Sequence, residues 1–159
     1  MKLSAKGIEL LKELEGCRLM PYDDQTGHSY DGLWKFGVTI GVGHLILEKD
    51  WGLYRNGINM DTAEELLHMD INPTEEAVNR LVKDTIGQNQ FDALVLLAFN
   101  IGIGGLATSS VLKFINKDYP IKTYTNLEQA WMAWDKSQGK VMTGLVNRRK
   151  AEFALYKTV

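Results

Sequence analysis

The first hydrophobic residues of the chain recur every three to four positions, which is the period of an α-helix with one buried face. These residues are Ile8, Leu10, Leu11 and Leu14. Ser4 suits the N-cap of such a helix, and Gly16 suits its C-terminal end because glycine readily adopts a left-handed conformation. The pattern predicts a helix over residues 4–15. Glu15 then lies in its last turn, where the negative end of the helix dipole favours a neutral carboxyl group.

Between Pro21 and Gly43 the helical period is lost and glycine becomes frequent. The residues Thr39, Ile40 and Val42 stand among these glycines, and their β-branched side chains favour a strand. Turn residues on either side separate the extended segments from one another. This pattern of short β-branched segments separated by turn residues predicts a small antiparallel sheet.

Helical periods return after a connector over residues 45–59. Asp61 or Thr62 can cap the next helix, and Pro73 is expected to begin or kink a further helical run because it has no amide hydrogen. Residues 90–103 are apolar on nearly every side, which predicts a central buried helix.

Shorter helical segments are predicted in the last third of the chain, after Thr108 or Ser109, over residues 127–134 and over about 144–156. We therefore expect a single α+β domain with two lobes. The lobe that contains the sheet should cover about 16–60. The larger helical lobe should cover about 61–159, with the helix over 4–15 packed on it.

Composition agrees with one folded domain and gives little indication of a charged partner. The chain has 159 residues, of which 45% are hydrophobic and 24% are charged, and its formal net charge is −2. A nucleic-acid-binding domain usually has a marked excess of basic residues, so nucleic acid is not expected as the target. The basic run Arg148-Arg149-Lys150 is more typical of a solvated helix face with an ion pair to Glu152.

The chain begins without an apolar signal segment and contains no apolar run of membrane-spanning length. Its single cysteine, Cys17, excludes an intramolecular disulfide and fits synthesis in a cytoplasm. A nucleophilic role for Cys17 is conceivable, but a lone cysteine at a helix end is more often a packing residue.

Acidic groups, a hydroxyl and an imidazole crowd into residues 15–44, which makes this segment the candidate site. His44 has no second histidine or cysteine at metal-ligand spacing, so we expect a buried hydrogen-bonding residue that braces the site. Gly41 and Gly43 could suggest a phosphate loop, but no strand-turn-helix context or basic residue accompanies them. No metal or other cofactor is expected.

The motif residues follow a recognisable order along the chain. They read Glu15-Gly16-x-Arg18, then Tyr22-Asp23-Asp24, then Thr39-Ile40-Gly41-Val42-Gly43-His44. This order resembles the catalytic signature of the phage-type lysozymes, the muramidase endolysins of T4-like and lambdoid phages. The resemblance continues through residues 91–94, 99–102 and 144–152, so it covers nearly the whole chain.

The resemblance implies a two-lobed lysozyme fold and hydrolysis of the β-1,4 bond between N-acetylmuramic acid and N-acetylglucosamine in peptidoglycan. It assigns Glu15 as general acid, Asp24 as the base of an inverting reaction, and Thr39 as the residue that positions the water. Two carboxyl groups flanking the bond are what glycoside hydrolysis requires. Asp23 is an adjacent rival for Asp24, although the nine positions between Glu15 and Asp24 favour the latter.

Arg18 and Tyr22 are expected to support this site. The residues expected to bind substrate are Arg18, Tyr22, His44 and Trp34. One departure concerns Thr39, which follows Asp24 by 15 positions, with residues 28–38 as extra length. This extra segment places Tyr30, Trp34 and Phe36 at even spacing, so in a strand they would share one face. They could form a platform for sugar rings or pack the small lobe's own core, and the packing interpretation is favoured.

Two rival functions follow from the same fold. A wall-binding module without hydrolysis would not need the pair of acids, and a lytic transglycosylase would need only one. The expected partner is peptidoglycan, with no nucleic acid and no stable membrane insertion. We expect a monomer that is made in the host cytoplasm and reaches the wall in the periplasm after a separate pore, such as a holin, permeabilises the membrane.

Overall fold

The computed structural model describes residues 1–158 and combines helices with short antiparallel strands. The helices are α1 (Ala5–Glu15), α2 (Trp51–Tyr54), α3 (Met60–Leu81), α4 (Gln88–Ile101), α5 (Ile103–Thr108), α6 (Ser110–Ile115), α7 (Leu127–Met132) and α8 (Thr143–Lys157). The strands are β1 (Arg18–Asp23), β2 (Val38–Gly41), β3 (His44–Leu45), β4 (Lys136–Ser137) and β5 (Lys140–Val141). The predicted α+β class and the small antiparallel sheet are confirmed.

The residues group into two compact units. One consists of Glu9–Asn72, and the other consists of Met1–Ile8 together with the chain from Pro73 onward. Both divisions fall inside helices, α1 and α3. The lobe limits near residues 16 and 60 stay a prediction. Among residues 1–158, no helix combines the length and the apolar character that a membrane span requires.

The unit of residues 9–72 contains the three-stranded sheet in the order β1-β2-β3. The central strand β2 is antiparallel to both neighbours, with Thr39 opposite Tyr22 and Ile40 opposite His44. Every residue of β2 is buried, which explains its run of apolar and β-branched residues. A cluster of buried side chains supports this strand: Val38, Ile40, Ile46, Trp51 and Leu66.

The ends of α1 follow the capping residues predicted from the sequence. The Gly7 amide donates a hydrogen bond of 3.2 Å to the Ser4 hydroxyl, as an N-cap requires. At the other end, Gly16 has a φ of +75° and its amide donates to the carbonyl of Lys12. A left-handed glycine thus ends the helix directly after Glu15.

The helix α3 corrects two predictions. It is continuous from Met60 to Leu81, with Pro73 inside it, and does not restart after the proline. Buried apolar residues before and after Pro73, such as Ile71 and Ala77, offset the one backbone hydrogen bond that proline cannot donate. The cap is neither Asp61 nor Thr62, because the Thr62 amide donates to the side-chain oxygen of Asn59 at 2.8 Å.

The unit that begins at Pro73 is organised around α4, which packs against α8. Residues 91–98 of α4 are buried without interruption, so the predicted central buried helix is confirmed. Trp131 of α7 is fully buried and packs against two aromatic rings of α8. Its ring centroid lies 5.6 Å from that of Phe153 and 5.4 Å from that of Tyr156.

The basic run in α8 is buried, so the prediction of a solvated face is wrong for Arg148 and Arg149. The expected ion pair with Glu152 is present, because the Glu152 Oε1 atom accepts from Arg148 Nε at 3.0 Å and from Arg149 Nη2 at 2.7 Å. Glu152 and Arg149 have no exposed surface. Two further hydrogen bonds complete this network. The Trp131 indole N–H donates to Glu152 Oε2, and Arg149 Nη2 donates to Asn100 Oδ1. Such groups are buried together because an ion without partners would be far costlier to bury.

Candidate active site

Glu15 is the last residue of α1, and Gly16 turns the chain away immediately after it. The side chain is half-buried. This position presents the carboxyl group at a helix end, as predicted, with the sheet strand β1 starting three residues later.

Asp24 and Thr39 meet at one backbone carbonyl, that of Gly37. The Asp24 amide donates to this oxygen at 3.0 Å, and the Thr39 hydroxyl donates to it at 3.2 Å. The chain between Asp24 and Thr39 therefore forms a loop whose two ends lie close together, although 15 positions separate the residues in the sequence. The structure thus brings together the proposed base and the proposed water-positioning hydroxyl.

Gly37 belongs to the site, although the sequence alone marks it only as one of several glycines between Pro21 and Gly43. Its φ of +91° is a conformation that glycine adopts without strain. A Cβ atom at this position would lie 2.8 Å from Asp24 Oδ1, so any side chain here would displace the carboxylate. A glycine two positions before the motif residue Thr39 was the signal that could have identified it.

Asp23, the adjacent rival of Asp24, has partners of its own, and the choice of Asp24 as base stays a prediction. Its carboxylate pairs with Lys35 and accepts a hydrogen bond of 2.9 Å from the Gln25 amide. The hydrogen bond from Lys35 and those from the backbone lower the pKa of the Asp23 carboxyl. Lys35 also lies 4.6 Å from the centre of the Tyr30 ring. The ion pair thus fastens the extra loop to β1.

Tyr22 lies within electrostatic reach of both proposed catalytic acids. Burial raises the pKa of its hydroxyl, the Arg18 cation opposes that change, and the Glu15 and Asp24 carboxylates add to it. The Arg18 guanidinium stacks 4.4 Å from the centre of the Tyr22 ring and donates to the Ser29 hydroxyl. Arg18 and Tyr22 are therefore placed as supports of the site, and direct contact with substrate stays a prediction.

His44 is braced by Asp70, with 2.8 Å between His44 Nδ1 and Asp70 Oδ2. Its ring also meets the Tyr54 ring edge-on at 6.0 Å. The hydrogen bond to Asp70 raises the pKa of the imidazole, although burial opposes this. Within residues 1–158, no group of three or more histidine, cysteine or acidic side chains is arranged to hold a metal ion.

The raised pKa of His44 predicts a pH-dependent stability. The protonated pair with Asp70 stabilises the fold fully below about pH 6.5, the ordinary value for histidine. Its contribution is lost as the pH rises through the raised pKa of folded His44. We expect Asp70→Asn to lower the free energy of unfolding by up to roughly 1 kcal/mol at pH 5.5 and by less at pH 9.5. Urea denaturation at both pH values measures this, and an equal effect at both would contradict it.

The three aromatic residues of the extra loop do not share one face, because residues 30–37 do not form a strand. Trp34 packs against the buried cluster behind β2, and its indole N–H donates to the Ile46 carbonyl at 2.9 Å. Tyr30 packs there too, while Phe36 is 77% exposed. The packing interpretation is confirmed for Tyr30 and Trp34, and a substrate contact by Trp34 stays a prediction.

Trp34→Ala is expected to lower the free energy of unfolding by roughly 2–3 kcal/mol, below the range for a fully buried tryptophan because Trp34 is half-buried. The substitution removes both the packing against the cluster and the hydrogen bond to Ile46. Chemical denaturation of the purified variant measures the loss. Unchanged stability with weakened binding of wall fragments would contradict the packing role.

Known proteins with similar sequences and the same fold match nearly the whole chain. The phage lysozyme family matches residues 12–152. The endolysin of Salmonella phage P22 is 37% identical over 158 residues, with 98% of each chain covered. The endolysin of Bacillus phage PZA is 35% identical over 99% of this chain, but the match spans only 56% of that relative's length.

Solved structures agree with these sequence matches. A crystal structure of a P22 lysozyme mutant has a TM-score of 0.77 at 32% identity, with 99% of both chains covered. The muramidase domain of SpmX from Asticaccaulis excentricus has a TM-score of 0.76 at 34% identity, again over 99% of both chains. The chain therefore belongs to the phage lysozyme family.

Proposed function

We propose that the protein is an endolysin that hydrolyses the β-1,4 bond between N-acetylmuramic acid and N-acetylglucosamine in peptidoglycan. The observation that carries the proposal is the meeting of Asp24 and Thr39 at the Gly37 carbonyl. Glu15 lies at the helix end three residues before β1. The carboxylates of Glu15 and Asp24 both raise the pKa of the Tyr22 hydroxyl. The names of the relatives, endolysin and muramidase, support the same activity.

In this proposal Glu15 is the general acid. It donates a proton to the glycosidic oxygen as the bond to the sugar carbon breaks, so the leaving sugar departs as a neutral alcohol. The position of Glu15 at the end of α1, where the residue is half-buried, supports this role.

Asp24 is the general base on the opposite side of the bond. It removes a proton from a water molecule, and the oxygen of that water attacks the anomeric carbon as the glycosidic bond breaks. Thr39, held by the same Gly37 carbonyl as Asp24, helps to orient the water. The attack from the far face inverts the configuration at that carbon.

Lysis of chloroform-permeabilised Gram-negative cells tests this function. The purified protein should reduce the turbidity of the suspension and release soluble wall fragments, while a heat-inactivated sample should do neither. A wall-binding module without hydrolysis would bind the cells but release no fragments, and this result would overturn the proposal.

Export completes the proposal. We infer that the monomeric protein is made in the host cytoplasm, requires no cofactor, and reaches peptidoglycan in the periplasm once a holin opens the inner membrane. Nucleic acid has no part in this function. Prompt lysis of cells that express the protein alone would contradict the dependence on a holin.

A further inference from the structure

Phe36 exposes 77% of its surface and directly precedes Gly37 in the loop before β2. A single exposed ring is ordinary on a protein surface, and its position is what makes this one informative. Gly37, the next residue, holds Asp24 and Thr39 through its carbonyl. Because it has no side chain, the Asp24 carboxylate can lie close to its Cα. The Cα atoms of residues 36 and 37 are one peptide apart, about 3.8 Å. The ring is therefore carried by the residue whose backbone adjoins the Gly37 carbonyl, the group that holds Asp24 and Thr39.

The loop that carries Phe36 is tied down on both sides of the ring. The Trp34 indole donates to the Ile46 carbonyl, and Lys35 is paired with Asp23. On the other side, the Gly37 carbonyl accepts from Asp24. The ring is thus presented to solvent by a fastened backbone, while the neighbouring Trp34 turns inward to the core.

We propose that Phe36 is a sugar-binding residue on which an N-acetylhexosamine ring of the glycan strand stacks beside the bond to be cleaved. This inference rests on the proposed function and adds a binding residue to its site. A phenyl ring offers a flat apolar face with a negative quadrupole. The C–H face of a pyranose ring is its natural complement, since both surfaces leave water when they meet. A preformed platform on a fastened loop also loses little conformational entropy on binding.

Binding of a defined saccharide tests the platform directly. The ligand is the tetrasaccharide of alternating N-acetylglucosamine and N-acetylmuramic acid, titrated calorimetrically into a Glu15→Gln background that prevents turnover. Adding Phe36→Ala should weaken binding roughly five- to tenfold, the scale of one lost ring contact. Phe36→Tyr keeps the ring face and should bind within about twofold of the background.

Leu33→Ala provides the matched control, because Leu33 is 87% exposed on the same loop but is not next to Gly37. It should leave the affinity for the tetrasaccharide within about twofold of the background. An unchanged affinity of the Phe36→Ala protein would overturn the platform. An equal loss in the Leu33→Ala protein would overturn it as well, since the effect would then belong to loop exposure in general.

Kinetics with otherwise wild-type protein separate this inference from the proposed function. Phe36→Ala should raise the KM for soluble glycan strands roughly five- to tenfold with kcat within about twofold, as expected for a binding contact. If wild-type protein cleaves the strands and Phe36→Ala leaves KM unchanged, only the platform fails. If wild-type protein does not cleave them, the proposed function fails and the platform fails with it. Loss of binding to lipid vesicles in Phe36→Ala, with unchanged KM, would assign the ring to a membrane surface instead.

Discussion

Glu15→Gln is expected to reduce wall hydrolysis by about 10²- to 10⁴-fold, which is the usual contribution of general acid catalysis. The amide keeps the size and the polarity of the side chain but has no acidic proton to give to the leaving oxygen. The turbidity assay on permeabilised cells measures the rate. The fold should remain intact, because Glu15 is the last residue of α1 and lies outside the buried clusters.

Glu13→Gln is the matched control for this experiment. Glu13 carries the same group on the same helix two residues earlier, and its side chain is exposed. The control should keep nearly full activity, which excludes a general effect of charge on α1. Activity of the Glu15→Gln protein above about a tenth of the native rate would remove Glu15 from the role of general acid.

Glu152→Gln is expected to lower the free energy of unfolding by roughly 3–5 kcal/mol, the size of effect seen when one partner of a buried ion pair is removed. The carboxylate is fully buried between the guanidinium groups of Arg148 and Arg149. Glutamine can still face the Trp131 indole, but it supplies no negative charge. The substitution therefore leaves two buried cations with less compensation than before.

Lys150→Gln separates this effect from a change of charge on α8, because Lys150 is exposed on the same helix. Its stability should change by about 0.5 kcal/mol or less, as is usual for surface positions. Urea denaturation of both variants gives the comparison. A loss below about 1 kcal/mol in Glu152→Gln would show that the buried network contributes little to stability.

Much of the fold could be predicted because some helices are determined by residues that are close to one another in the sequence. The helix α1 carries its own cap at Ser4 and its own stop at Gly16, so neighbouring residues in the sequence determine both ends. The helix α4 is apolar on every side, and such a segment has no alternative but burial. The motif that contains Glu15, Asp24 and Thr39 is also local in sequence, so it marks the candidate site without knowledge of the fold.

The errors concern features that depend on distant residues. The burial of Arg148 and Arg149 depends on acceptors such as Glu152 and, from α4, Asn100. Trp131 of α7 completes the network by donating to Glu152. Tertiary packing also keeps α3 helical through Pro73. The contact of Gly37 with Asp24 depends on the fold in the same way, because it and the positive φ of Gly37 arise when the loop returns to β1.

Mass spectrometry of the released fragments tests most directly whether Glu15 and Asp24 hydrolyse the bond after N-acetylmuramic acid. Purified peptidoglycan is digested with the protein, and the masses and end groups of the soluble muropeptides are determined. Hydrolysis by this pair predicts fragments that end in a reducing N-acetylmuramic acid. Fragments lighter by one water, with an anhydro end, would identify a lytic transglycosylase and contradict the role of Asp24 as base. Fragments that end in reducing N-acetylglucosamine would contradict the bond assigned to the site.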